Sequence, residues 1–357
     1  MYNKLKIIIG GGAGFVGSSL AIYLKQNFDN IDITIIDNLS RYGSKLNLSR
    51  FKKNNIKFIF GDLSKPNNLK NLPKADFFID AAANPSTLAG INSSATKLID
   101  DNFISTINCV EWSIKNNCKL IFLSTSRVYP FDKLRQIPFD ETASRFKWNN
   151  KENFEGLSEN GISEKFNIDG LRSFYGTSKY VSENFIREYG AFKNLKYVIN
   201  RCGVIGGPWQ MGKVDQGILA YWVAAYHFNK PLHYLGYNGM GKQVRDIVHI
   251  LDICKLIETQ IFNWDKVNSQ IFNVGGGLEN SISLFELSRL VQKETKIKKS
   301  INNILENRLA DIPIYVTDNS KVNQLLGWEP SISLDITIKD TYRWVVKYRN
   351  QLKEILF

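Results

Sequence analysis

An α/β fold, a doubly wound parallel sheet with a smaller α/β lobe interleaved into it, is predicted by three features of the sequence. Short β-branched and aromatic runs alternate with helix-length amphipathic stretches as far as Ile199. A glycine-rich turn follows the first run directly. Beyond Gly203 the spacing becomes irregular and glycine-rich. Buried strands of four or so residues separated by helices are what a parallel sheet covered on both faces requires.

Taken in order, the runs are Lys6–Ile9, Ile33–Ile36, Ile56–Phe60, Phe77–Ile79, Leu120–Leu123 and Tyr197–Ile199. Gly17–Gln26 and Asn102–Lys115 read as helices between them, with the first helix opening at Ser18. Residues 141–170 are polar and rich in turn formers, the pattern of a long loop or small insertion, with disorder as the plainer alternative. The segments GPWQMGKVDQG and YNGMGKQVRD mark irregular backbone, and Ser283–Thr295 reads as a helix among short strands. The expected division gives residues 1–203 and 247–277 to the sheet domain, and 204–246 and 278–357 to the lobe.

Composition narrows the class. The chain has 357 residues, 43% hydrophobic and 22% charged, too apolar for a disordered chain and long enough for a substantial core. Cys109, Cys118, Cys202 and Cys254 lie far apart in apolar surroundings, so they read as core residues, not as disulfides or zinc ligands. The three histidines have no ligand spacing, and no metal site is expected. MYNKLKIIIG is too short in apolar residues for a secretory or spanning segment, which gives the expectation of a soluble cytoplasmic protein without membrane contact. The formal charge of +12 raises nucleic-acid binding, but the 33 lysines are spread along the whole chain, and no nucleic-acid partner is expected.

The glycine turn carries chemistry. Gly11-x-x-Gly14-x-x-Gly17 follows a strand and opens a helix, as a dinucleotide fingerprint does. Such a site needs a tight turn, a backbone close to the pyrophosphate, and free helix N–H groups, here those of Phe15 and Val16, facing phosphate. A purely structural glycine turn would share the triplet. Asp37, 20 positions after Gly17 at the end of the second strand, is placed to accept from ribose hydroxyls. Its charge would repel a 2′-phosphate, which favours NAD over NADP. Asp62 ends the third strand, where it could contact adenine. Ala81, Ala82 and Ala83 follow the fourth strand and would let the backbone approach the cofactor, or serve tight packing.

The fifth strand runs into Ser124-Thr125-Ser126-Arg127, hydroxyls at the carboxyl end of a central strand. Tyr175-x-x-x-Lys179 follows on a helical pattern, with both side chains on one face. A lysine beside a phenol favours the phenolate, making a base of a group whose reference pKa is about 10. Five Tyr-x-x-x-Lys pairs occur, at Tyr2, Tyr129, Tyr175, Tyr189 and Tyr226, so the spacing alone selects nothing. The Tyr175 pair is selected by its place at the start of a helical segment between the hydroxyl-bearing fifth strand and the sixth.

Together Gly11, Gly14, Gly17, Asp37, Thr125, Tyr175 and Lys179 resemble the extended short-chain dehydrogenase/reductase family that acts on nucleotide sugars. The likeness extends to Arg245-Asp246, Phe272-Asn273-Val274-Gly275-Gly276 and Leu326-Gly327-Trp328-Glu329-Pro330. It departs at Gly10, where Thr is usual, and at Pro130, where Gly commonly follows Val-Tyr. The resemblance implies a Rossmann-type sheet, NAD, catalysis by Thr125, Tyr175 and Lys179, and a homodimer. Asn38, Ser40, Arg41, Leu63 and Asn102 complete the implied cofactor set. Pro85, Ser86, Ser126, Arg127, Asp215, Gln216, Gln243, Arg245, Arg308 and Asp311 form the implied substrate set. The branch most similar, through DNLSRYGSKLNL, STSRVY and VDQG, inverts C2 of a CDP-linked deoxyhexose. After Thr125 stand Ser126 and Arg127, with no carboxylate, which disfavours dehydratase and decarboxylase chemistry. A UDP-hexose 4-epimerase, and an inactive NAD-binding sensor or scaffold, stay open at this point.

Overall fold

The computed structural model describes residues 4–149, 154–213 and 216–357. The chain forms two compact units. One comprises Met1–Thr125, Phe174–Arg201 and Cys254–Phe272; the other comprises Ser126–Ser173, Cys202–Ile253 and Asn273–Phe357. The sequence-based division differs at 126–173, 202–203, 247–253 and 273–277, which it assigned to the sheet domain and which cluster with the second unit instead.

The first unit is built on seven strands: β1 (Leu5–Gly10), β2 (Ile31–Asp37), β3 (Lys57–Phe60), β4 (Phe77–Asp80), β5 (Lys119–Thr125), β6 (Tyr197–Cys202) and β7 (Gln270–Val274). Their order in the sheet is β7-β6-β5-β4-β1-β2-β3. The β1–β2, β1–β4, β2–β3 and β4–β5 pairs are parallel. All six strands expected from sequence are present. The seventh escaped notice because Gln270–Val274 carries Gln and Asn among its five residues and closely follows helical sequence.

Central strands have no solvent face, so their residues are continuously apolar: Ile7, Ile8 and Ile9 are 1% exposed or less, as are Leu120, Ile121 and Phe122. Burying each such side chain contributes about 1.5–3 kcal/mol. Helices α1 (Phe15–Asn27), α2 (Ser105–Lys115) and α3 (Phe174–Lys193) cover this sheet. One core cluster joins Ile8, Phe78, Leu120 and Ile199 of the strands with Val110 and Trp112 of α2 and Ile186 of α3. Helix α1 begins three residues earlier than the sequence suggested, because Gly14 is extended and serves as its N-cap.

In the second unit, strand Val244–His249 lies beside Val204–Gly206, and pairs antiparallel with Ser281–Ser283 and parallel with Ile314–Tyr315. The expected 283–295 helix runs over Leu284–Thr295, with Ser283 and Glu286 forming a reciprocal capping box.

The polar stretch 141–170 is structured, apart from residues 150–153, which lie outside the described set. It contains paired strands Phe139–Glu141 with Phe146–Trp148, and Leu157–Ser158 with Gly161–Ile162. Arg145 grips Glu286 at 2.5 Å and Lys242 meets Glu141 at 2.7 Å, while Phe146 enters a core cluster with Val244, Ile314 and Val316. Polar composition here reflects ion pairing and not disorder. All four cysteines are buried and free, as their apolar surroundings suggested. Among the described residues no helix is long and apolar enough to cross a membrane, and no group of His, Cys, Asp and Glu could hold a metal.

Candidate active site

In the first unit the site begins with the glycines, and each is required for a different reason. Gly11 has φ +67°, and a Cβ there would lie 2.5 Å from Ala82 Cα. At Gly17 a Cβ would lie 2.6 Å from Gly12 Cα, so only glycine lets α1 approach the turn. Gly14 is different. Its added Cβ would meet only Gly11 O, at 3.1 Å, a tight contact that a shift of a few tenths of an ångström relieves, so the protein's own packing tolerates a Cβ there better than at Gly11 or Gly17.

The space beside Gly14 lies at the mouth of a helix with no side-chain cap and no acidic residue in its first turn. The first helical bond is Ser18 N–H to Gly14 O, which leaves the Phe15, Val16 and Gly17 N–H groups directed out of the helix end. Such an end attracts anions. A dinucleotide pyrophosphate fits this cradle in charge, donor type and room. The expected result for Gly14→Ala is NAD binding weakened about tenfold or more, roughly the worth of one hydrogen bond. The unliganded fold should change by less than about 1 kcal/mol, as calorimetry on both forms would read.

Asp37 ends β2 and accepts from Ala13 N–H at 3.0 Å and Leu39 N–H at 2.7 Å, and also from the Gly14 backbone N–H. A carboxylate has about four lone-pair sites, so one stays for a ribose hydroxyl. Burial pushes its pKa up, and the backbone donors draw it partly back. Asn38 accepts from Ser40 N–H at 3.0 Å and holds that loop, which continues into Arg41. Asp62 caps its own turn, accepting from Ser64 N–H at 2.9 Å and Ser64 Oγ at 2.7 Å. Burial works to raise Asp62, but these bonds and one from Asn38 outweigh it and hold the group below the usual carboxylate value. Leu63 is buried, and its carbonyl accepts from Asn108 at 2.8 Å. Ala81 and Ala82 are half-buried and Ala83 exposed; the nearness of Gly11 shows that Ala82 serves close packing. Pro85 and Ser86, half-buried, follow in the same loop.

Asn102 lies in a single π-helical turn, Asp100–Ile104, of the kind that often marks functional sites. Its amide donates to Asn84 O at 3.1 Å and Ser178 Oγ at 3.0 Å, and its oxygen accepts from Asn84 N–H at 2.7 Å. The side chain is committed to protein partners, so Asn102 ties the loop after β4 to α3.

Helix α3 buries Tyr175, Ser178, Lys179, Ser182, Glu183 and Ile186, one face at helical spacing. Thr125 is the last residue of β5 and is also buried. Lys179 is 1% exposed. Its Nζ lies 4.2 Å from the Phe122 ring centroid and donates to Ala82 O at 3.5 Å, which places it at the carboxyl ends of β4 and β5. Asp80, fully buried nearby, is pushed up by desolvation and drawn back by the Lys179 charge.

One turn along the helix, Glu183 accepts from Ser124 Oγ at 2.5 Å and from Arg201 Nη2 at 2.7 Å and Nε at 3.0 Å. This buried pair fastens α3 to both β5 and β6. It was not foreseen, although Glu183 stands four residues after Lys179 and would have been found by extending that face.

The second unit contains a cleft of about 460 Å³, part of it open to solvent. Ser126, Arg127, Tyr129, Arg172 and Ser173 line it together with Arg245 and Tyr315. Phe131, Leu134, Val204, Ala310 and Ile312 supply the apolar walls. The lining has three guanidiniums and no carboxylate. Arg245 pairs with Asp311 at 2.9 Å and donates to Ile312 O at 2.8 Å. Gln243 bonds Asp311 Oδ2 at 3.3 Å and Leu235 O at 2.6 Å.

Of the expected substrate set, then, Ser126, Arg127 and Arg245 share the cleft, and Asp311 and Gln243 support Arg245 from outside it. Arg308 is half-buried in the turn closed by Asp311 N–H to Arg308 O at 3.1 Å, and does not line the cleft. Gln216 bonds back to Lys213. Asp215 lies outside the described residues. Asp246, fully buried, accepts from Gly277 N–H at 3.1 Å, and a Cβ on Gly275 would fall 2.3 Å from its Oδ2. Trp328 donates to Asp252 O at 3.0 Å. The Arg-Asp, Gly-Gly and Gly-Trp-Glu-Pro motifs thus serve packing within this unit, apart from Arg245.

A family model described as the NAD dependent epimerase/dehydratase family matches residues 7–275. The chain is 30% identical over 353 residues to CDP-paratose 2-epimerase of Salmonella typhi, covering 95% of this chain and 99% of that one. It is 26% identical to a putative UDP-glucose 4-epimerase of Methanocaldococcus jannaschii, covering 95% and 98%. Among solved structures, UDP-glucuronic acid 4-epimerase from Bacillus cereus, in complex with UDP-glucuronic acid and NAD, superposes with a TM-score of 0.78 at 22% identity, covering 96% and 99%.

Proposed function

The chain belongs to the NAD dependent epimerase/dehydratase family, and from that premise we propose that it inverts C2 of a CDP-linked deoxyhexose such as CDP-paratose. It is an enzyme whose cofactor is NAD and whose relatives act on nucleotide sugars. The observation that carries the finer reading is the 30% identity to the 2-epimerase over nearly the full length of both chains.

In this reading Phe15, Val16 and Gly17 N–H groups hold the pyrophosphate and Asp37 the adenosine ribose. NAD supplies a nicotinamide that takes up a hydride and gives it back. Tyr175 removes the proton of the sugar hydroxyl and later returns one to the same oxygen. Lys179, held under β4 and β5, supplies the positive charge that favours a phenolate on the same helix face. Thr125 hydrogen-bonds the reacting oxygen. Arg245, set by Asp311 and Gln243, brings its positive charge to the substrate diphosphate and offers it the N–H groups left over by Asp311, Ile312 O and Val244 O. Arg127, Ser126 and the apolar walls of the cleft take the sugar.

Epimerisation needs no further acid, and the cleft supports this by offering none: hydroxyls and guanidiniums line it without a carboxylate. An inactive sensor would have no use for Thr125, Tyr175 and Lys179 kept together. A UDP-hexose 4-epimerase is the second reading, favoured by the 26% identity to the putative UDP-glucose 4-epimerase.

Incubation with CDP-, GDP- and UDP-hexoses in deuterated water, followed by NMR, tests these readings. Inversion at C2 with the carbon-bound hydrogen retained supports the 2-epimerase. Inversion at C4 of a UDP sugar replaces it by the second reading, and deuterium on carbon sinks the hydride mechanism.

We also read the first unit as half of a homodimer. Phe192 is 81% exposed and Phe185 45%, with Phe103 packed edge-on to Phe185 at 5.3 Å. Apolar side chains exposed along the helices at 99–104 and 174–193 suit a second copy of the same face. Sedimentation of the wild type at twice the chain mass is expected, and Phe185→Glu should shift it to the monomer.

A further inference from the structure

We propose that Arg135 is a positioning residue for the substrate diphosphate, a bracket that joins the two walls of the cleft in the second unit and sets Arg245 between them. The inference rests on the nucleotide-sugar reading of that cleft. Arg135 follows the short helix Phe131–Leu134, whose Phe131 and Leu134 form one wall. Its guanidinium stacks on Phe131, with Cζ 4.8 Å from the ring centroid. From there it reaches the opposite wall, donating from Nε to Asp311 O at 2.7 Å, and from Nη2 to Leu309 O at 2.6 Å and Arg308 O at 3.3 Å. Ala310 and Ile312, on either side of Asp311, line that wall.

Elsewhere the segment so held is tied by Asn307, which accepts from Tyr237 N–H at 2.7 Å, and by the bonds of Gln243 and Arg245 to Asp311 and Ile312. Leu305 and Leu309 are 70% and 67% exposed, and no regular secondary structure lies between Ile304 and Ile314. Yet this segment sets the candidate phosphate ligand: Asp311 Oδ1 pairs with Arg245 Nη2 at 2.9 Å, and Ile312 O accepts from the same nitrogen at 2.8 Å. Arg135 fixes the backbone of Asp311, and Asp311 fixes Arg245. Three carbonyls converging on one guanidinium need a planar fork of donors, which lysine lacks. Carbonyl groups are neutral, so the role of Arg135 is geometric and not one of charge.

The test compares wild type, Arg135→Met and Arg135→Lys, each isolated with NAD. CDP and UDP binding is measured by calorimetry, turnover with the corresponding hexoses, and amide hydrogen exchange over 305–312. Both variants should bind CDP about tenfold more weakly and show KM raised by the same factor, an order of magnitude typical of one lost contact. Their kcat should stay within about twofold, their NAD content and thermal midpoint should be unchanged, and 305–312 should exchange faster. A KM and CDP affinity unchanged in Arg135→Met overturns the proposal. So does full rescue by lysine, which would mark a charge effect, or a fall in kcat that tracks a loss of thermal stability. Wild type that binds neither CDP nor UDP overturns the nucleotide-sugar reading and this proposal together. Wild type that binds UDP alone moves the nucleotide, and the same tenfold criterion then applies to UDP.

Discussion

Tyr175→Phe lowers kcat by about 10³-fold or more, within the range that a positioned proton-transfer group contributes. The ring is 8% exposed and keeps its shape in phenylalanine, so the fold and NAD binding should be retained. Turnover of the nucleotide sugar, measured beside NAD content and thermal midpoint, separates a chemical defect from a structural one. Equal loss of NAD would mean that the hydroxyl holds the cofactor. Turnover within tenfold of wild type would remove Tyr175 from the mechanism and leave a different base to be found.

Glu183→Ala destabilises the protein by about 3–5 kcal/mol, because Arg201 is left charged and buried without its partner. Both side chains are at most 8% exposed and share two close bonds, so the pair is not screened as a surface pair would be. Thermal and urea unfolding should show the loss directly. Replacing both members, Glu183→Leu with Arg201→Met, should recover much of it, since removing two charges together leaves neither one orphaned. If Glu183→Ala cost under about 1 kcal/mol, solvent must reach the pair and the description of a dry anchor would be wrong. The anchor also has a local consequence. Ser124, which bonds Glu183, precedes Thr125 in β5, and Lys179 precedes Glu183 by one turn of α3. Glu183→Gln keeps the shape but sets an amide NH2 group against these donors and leaves Arg201 without its charge partner, so it should lose stability as well, and turnover measured well below its thermal midpoint reads the local effect on Thr125 and Lys179.

How much of this was legible in the sequence follows from the physics of each part. Strands buried on both faces must be apolar throughout, and the central ones announced themselves that way, whereas the edge strand Lys57–Phe60 was legible from its aromatic and β-branched residues although none of them is buried. The glycines were legible because Gly11 needs a left-handed φ and Gly17 a missing Cβ, demands only one residue type meets. Tyr175 was picked from five similar pairs by its place between strands, which Tyr189 and Lys193 on the same helix share; burial separates them, since Tyr175 and Lys179 lie on the buried face of α3 and Lys193 is exposed. The cleft was harder. Phe131, Leu134, Ala310, Ile312 and Tyr315 come from short segments without periodicity, separated by about half the chain. Their grouping is a product of tertiary packing that no local pattern encodes. Arg245 was expected on the substrate side and lines the cleft, but its bonds to Asp311 and the carbonyls that Arg135 holds were not expected, since hydrogen bonds to backbone carbonyls leave no trace in sequence. Segment 141–170 misled through its polarity, because ion pairs such as Arg145 with Glu286 can order a chain as well as apolar contacts do.

The polypeptide passes between the two units at Thr125/Ser126, Ser173/Phe174, Arg201/Cys202, Ile253/Cys254 and Phe272/Asn273. Neither unit is therefore a contiguous stretch of gene. During synthesis from the amino end, the sheet can assemble β1 to β5 early, but β6 and β7 join only after long stretches of the other unit have left the ribosome. The same arrangement rules out exchanging either unit for another by a single crossover. New specificities must arise by substitution within the returning segments, and Thr125 and Tyr175, each within two residues of a passage point, sit where such substitutions are least free.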